Sequence, residues 1–77
     1  MDPNANLDAQ AQALANRRED GTLHSYDRYA LYDLRCALRD WLCQGGAEPN
    51  WDRHPDAGET FLHWDQTRVD HQHDASR

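Results

Sequence analysis

SYDRYALYDLRCALRDWLCQ, Ser25 to Gln44, is the stretch whose reading decides the fold. Placed at about 100° per residue, it forms one amphipathic helix. Leu31, Leu34, Leu38, Trp41 and Leu42 fall within a sector of roughly a hundred degrees, the width of a core-facing stripe. Arg28, Arg35 and Arg39 line one border of that sector. Past them stand Tyr29, Tyr32, Cys36 and Cys43, then Asp33 and Asp40, with Tyr26, Ala30 and Ala37 completing the circle. The helix thus has a leucine face and a softer tyrosine–cysteine face, divided by an arginine stripe. No proline or glycine interrupts it. Ser25 is placed to cap its first amides, with Thr22 as the alternative. Asp27 suits the positive end of the helix dipole, and Gly45 can take the left-handed conformation that closes the helix.

Upstream, Leu7 to Arg18 (LDAQAQALANRR) has high helix propensity from its alanines and glutamines. Its start is either Asp2 as cap with Pro3 at the first helical position, or Asn6 as cap. Leu7, Ala11, Leu14 and Ala15 make a thin stripe that Arg18 extends. Arg17 and Arg18 suit the negative helix end, and Gly21 stops it. The short connection Glu19 to His24 then predicts an antiparallel helical hairpin.

Downstream, Ala47 to Gly58 (AEPNWDRHPDAG) is rich in turn formers. Trp51 is expected to fold this loop back onto the leucine face, since aromatic area is what so small a core lacks. Glu59 to Val69 (ETFLHWDQTRV) reads as a short helix with a ragged stripe of Phe61, Leu62, Trp64, Asp65 and Val69. It alternates well enough for a strand, but a lone strand has nothing to pair with. The expected architecture is all-α: one domain over residues 1–69, a helical hairpin with a long central helix and a short third element, and a disordered polar tail over 70–77.

Seventy-seven residues bury only about 60% of the surface that the unfolded chain exposes. Hydrophobic content is 38% and mean hydropathy −1.13, so the core is thin and a partner is a ready way to enlarge it. Fourteen acids face eight bases, for a formal charge of −6. That balance argues against non-specific binding to a phosphate backbone and fits docking on a basic protein surface. All eight bases are arginine, and lysine and isoleucine are absent; their codons are AT-rich, which points to a GC-rich genome, bacterial or phage. There is no signal-peptide pattern and no apolar run of membrane-spanning length, so a cytoplasmic protein is expected.

Catalytic and metal-binding signals are weak. There is no Gly-rich phosphate loop, no nucleophile elbow and no cysteine with an evident histidine partner. Asp52, Asp56 and Glu59 cluster in a loop, as solvating carboxylates do. Cys36 and Cys43 lie about 10.5 Å apart along the helix axis, beyond the roughly 4.4–6.8 Å that a disulfide spans. His24, His54, His63, His71 and His73 follow no metal-binding spacing. Neither an enzyme nor a cofactor or metal site is expected, and no motif ties the chain to a known family. The expected function is stoichiometric binding of another protein, as an adaptor or inhibitor. Its sharpest form is a phage or mobile-element protein that blocks a host nucleic-acid-handling machine, as anti-CRISPR and anti-restriction proteins do. The expected contact residues are Tyr29, Tyr32, Cys36, Cys43, Asp33 and Asp40. A homodimer through the same stripe is a second possible use of it. The alternative is a DNA-binding regulator that uses the arginine stripe, disfavoured by the acidic charge.

Overall fold

The computed structural model describes residues 1–75, with side chains described for residues 1–67. The fold is all-α. Helices α1 (Pro3–Ala15), α2 (Ser25–Cys43) and α3 (Pro55–Ala75) follow one another, with a 3-10 turn at Trp51–Arg53 leading into α3. Val69 and the polar tail expected over 70–77 lie outside the residues whose side chains are described.

Helix α1 starts at the Asp2–Pro3 pair rather than at Asn6. Asp2 Oδ1 accepts the amides of Asn4 at 3.0 Å and Ala5 at 3.2 Å. Pro3 sacrifices nothing at the first position, where its missing N–H would find no helical partner. The helix stops at Ala15 instead of running on to Arg18, with Asn16 as its C-cap. Gly21, at φ +86°, reverses the chain, and the Arg18 amide donates to the Thr22 carbonyl at 2.8 Å. Arg17 and Arg18 therefore sit past the helix rather than in its last turn.

The cap of α2 is His24, not Ser25 or Thr22. Asp20 accepts the Thr22 hydroxyl at 2.7 Å and its amide at 3.0 Å, which takes Thr22 out of reach. His24 Nδ1 then accepts the Tyr26 amide at 3.2 Å, and Ser25 becomes the first helical residue. A neutral imidazole nitrogen is an acceptor on a short stem, so it can serve as a hydroxyl would. At the other end Gly46 donates to the Trp41 carbonyl at 2.9 Å and Gly45, at φ +88°, to that of Leu42 at 3.1 Å. This pair of bonds is a Schellman closure. The Trp41 indole lies flat on Gly46, where a Cβ would collide with the ring. Its Nε1 donates to the Ala47 carbonyl at 2.8 Å. Trp41 thus seals the helix end and is only half-buried.

Of the leucine face, Leu31 and Leu38 are buried while Leu34 and Leu42 are half-buried. The side of α1 that meets them is Asn6, Leu7, Gln10 and Ala13, not the expected Leu7–Ala11–Leu14–Ala15 stripe. Ala11 and Leu14 are half-buried and Ala15 is exposed. Hydrogen bonding explains the rotation. Asn6 Nδ2 donates to the Leu34 carbonyl at 3.0 Å, and the buried Gln10 Nε2 donates to Asn6 Oδ1 at 2.7 Å. Asn16 Nδ2 reaches Asp27 Oδ1 at 3.3 Å near the turn. The Asn6–Leu34 and Asn16–Asp27 links together set α1 and α2 antiparallel.

Helix α3 settles the ambiguous segment as helix and begins earlier than expected, with Pro55 as its first residue. The hydroxyls of Thr60 and Thr67 bond back to the carbonyls of Asp56 at 2.7 Å and His63 at 2.9 Å, so they do not compete with the helix. Trp51 anchors its loop, but on α3 rather than on the leucine face. It stacks on Phe61, centroids 5.8 Å apart and planes at 18°. Gly58 makes room for it, since a Cβ there would come within 2.9 Å of the indole. Ala57 and Phe61 are buried, and α3 lies mainly against α1.

A polar clasp joins this loop to α1. Asp8 accepts Arg53 Nη2 at 2.8 Å and Nε at 3.1 Å, and pairs with His54 Nε2 at 2.7 Å. Asn4 Oδ1 accepts the Asn50 amide at 2.7 Å. The Arg53 bonds, then the His54 bond, hold the Asp8 carboxyl below its ordinary pKa.

Candidate partner-binding face

The outer side of α2 carries all six residues expected at a contact. Tyr29 is 74% exposed and Tyr32 50%; Tyr26, which the sequence reading did not single out, is 77% exposed. Asp33, Asp40 and Cys43 are exposed and Cys36 is half-buried. No disulfide joins the two cysteines. Helical periodicity puts these side chains opposite Leu31 and Leu38, the two buried leucines of α2.

One border of this face is attached to α3. Tyr32 meets Trp64 edge-on, with centroids 6.1 Å apart and planes at 88°. Trp64 also lies 6.0 Å from Phe61, so an aromatic chain runs from the buried core to the edge of the outer face. The guanidinium of Arg35 sits over the Trp64 ring at 5.9 Å, within cation–π range.

The arginine stripe does not present three equivalent cations. Arg28 is exposed. Arg35 is half-buried, its Nε lacks a hydrogen-bond partner, and burial lowers its pKa from the ordinary arginine value. Arg39 Nη2 donates to Asp40 Oδ1 at 3.1 Å, a bond that raises the Arg39 pKa and partly neutralises Asp40.

Between the outer face and the arginine border runs a groove of about 520 Å³, lined by Leu23, Ser25, Arg28, Tyr29, Leu31, Tyr32 and Arg35. Sequence reasoning found its tyrosines and arginines but not Leu23, which precedes the helix and carries no periodic signal. Among the described residues no three histidine, cysteine, aspartate or glutamate side chains gather as a metal site would require. No described helix is long and apolar enough to cross a membrane. No protein-family model, curated protein or solved structure matches the chain.

Proposed function

We propose that the protein acts by binding another protein stoichiometrically through the outer face of α2. One observation carries this reading. The chain buries Asn6 and Gln10 completely or nearly so, yet leaves Tyr26, Tyr29 and Tyr32 half or more exposed on one side of the amphipathic helix α2. Tyrosine supplies large contact area at low entropy cost, and it is enriched where proteins meet. Asp33 and Asp40 beside the tyrosines, on a chain of charge −6, favour a partner with a basic surface. An inhibitor or adaptor directed at a nucleic-acid-handling machine, of phage or bacterial origin, is the form that best combines small size, acidity and this face. The DNA-binding alternative requires a row of available guanidiniums, and the ties of Arg35 to Trp64 and Arg39 to Asp40 weigh against it.

A photo-crosslinking residue at Tyr29, compared with one at the exposed Glu59 on α3, tests the proposal in native extract. The expected outcome is one stoichiometric adduct from position 29 and none from position 59. A self-adduct alone would replace the hetero-partner with a second copy. Equal labelling from both positions, or none, would remove α2 from the contact.

A further inference from the structure

We propose that the groove beside Arg28 and Arg35 receives an acidic segment of the partner, a peptide that carries a carboxylate next to a large apolar side chain. This rests on the outer face of α2 being the contact surface and adds the chemistry of what enters it. The sign of the lining is the first argument. The chain has fourteen acids, yet the described lining of this groove holds two arginines and no carboxylate. Asp33 and Asp40 do not line the groove, so the charges an anion meets on its walls are those of the two arginines.

The rest of the lining limits what the anion is attached to. Leu23 and Leu31 offer aliphatic wall, and Tyr29 and Tyr32 aromatic wall. A volume of about 520 Å³ lies within the roughly 300–1,000 Å³ of organic-ligand sites, far more than a simple inorganic ion fills. Arg35 is already partly desolvated and steered by Trp64, so less ordering remains to be done when a carboxylate pairs with it. A nucleic-acid strand could stack on the same tyrosines, but a chain of net charge −6 repels a polyanion over its whole surface, whereas a single carboxylate feels chiefly the two arginines.

Three fluorescein-labelled probes test this on the intact protein by anisotropy: a peptide with the core Glu-Leu-Phe-Asp, its counterpart with the acids replaced by lysine, and single-stranded oligothymidine. The expected result is saturable binding of the acidic peptide alone. Arg28→Glu and Arg35→Gln should each weaken it by about tenfold, the size of one charge-assisted bond, while Asp33→Asn leaves it unchanged or slightly tighter. Arg28 is exposed, so Arg28→Glu separates binding from folding if Arg35→Gln disturbs the Trp64 contact; circular dichroism checks both. Failure of the acidic peptide to bind, or binding that Arg28→Glu does not weaken, overturns the inference. Preferential binding of the lysine peptide, weakened by Asp33→Asn, would also overturn it while leaving the outer face as the contact surface. Tighter binding of the oligonucleotide would overturn the inference and the protein-binding reading together.

Discussion

Leu38 and Tyr29 stand on the same helix, one fully buried and the other 74% exposed. Their surroundings differ more than their hydrophobicity does. Around Leu38 the chain has packed α1 closely and even taken two carboxamides, Asn6 and Gln10, out of water. Around Tyr29 it has placed a groove, two arginines and solvent. Burying the amides is acceptable because each donates to a partner, although Gln10 Oε1 has none. Leaving the tyrosines bare gives up apolar burial at roughly 25 cal/mol per Å², in a chain with little to spare. The difference teaches that the inner face is held by hydrogen-bond geometry as much as by oiliness, while the outer face adds little burial to the monomer.

The largest effects should come from the inner side. Phe61→Ala should cost about 3–5 kcal/mol and Leu38→Ala about 2–5 kcal/mol, read as urea midpoints; values near zero for either would show that the packed face has been misplaced. Next comes the amide pair. Asn6→Ala strands the Gln10 donor in the core and should cost about 1–3 kcal/mol, whereas the double change Asn6→Leu, Gln10→Leu should recover most of that loss. If the double variant is as unstable as the single, the amides hold the register of α1 on α2 rather than merely satisfying one another.

Tyr32 lies where the two faces meet. Tyr32→Ala should lose its edge-on contact with Trp64, about 0.5–1.5 kcal/mol, together with a change in Trp64 fluorescence. A smaller, pH-dependent effect belongs to the Asp8 clasp. Its carboxyl pKa is lowered in the folded state, so its contribution is fully present above the ordinary carboxylate pKa of about 4. That contribution fades as pH falls through the lowered native value. Asp8→Asn should therefore narrow the stability gap between neutral and strongly acidic solution; an unchanged acid limb in thermal melts would show that the clasp contributes nothing. Smallest of all, Tyr29→Glu should alter stability by no more than about 0.5 kcal/mol while abolishing the adduct that a photo-crosslinking residue at the exposed Tyr26 forms with a partner. Unfolding by this change would make the outer face part of the core.

Much of the fold was legible in the chain. The leucine period from Leu31 to Leu42 and the glycines after Gln44 determine α2 and its closure, because burial of one stripe and a left-handed residue at the end are local demands. The turn at Gly21 is local in the same sense, whereas the start of α1 stayed open between Asp2–Pro3 and Asn6 until the structure showed Asp2 as the cap. From the period of α2 alone it also follows that Tyr29, Tyr32, Asp33 and Asp40 lie away from the leucines. Tertiary structure decided the rest. Pattern alone favours Leu7, Ala11, Leu14 and Ala15 as the inner side of α1, but the bond from Asn6 to Leu34 turns the helix, and a carbonyl on another element has no trace in local sequence. Thr22 reads as a good cap until Asp20 claims its hydroxyl. Trp51 needs a glycine to lie against, and Gly58 with Phe61 supplies that place on α3 rather than on α2. The three arginines are alike along the helix and unlike in space: a ring of α3 covers one, a neighbouring carboxylate binds another, and Arg28 is left at the mouth of a groove. Periodicity assigns a residue to a side of its helix, while the charge and shape of that side depend on what the other helices bring to it.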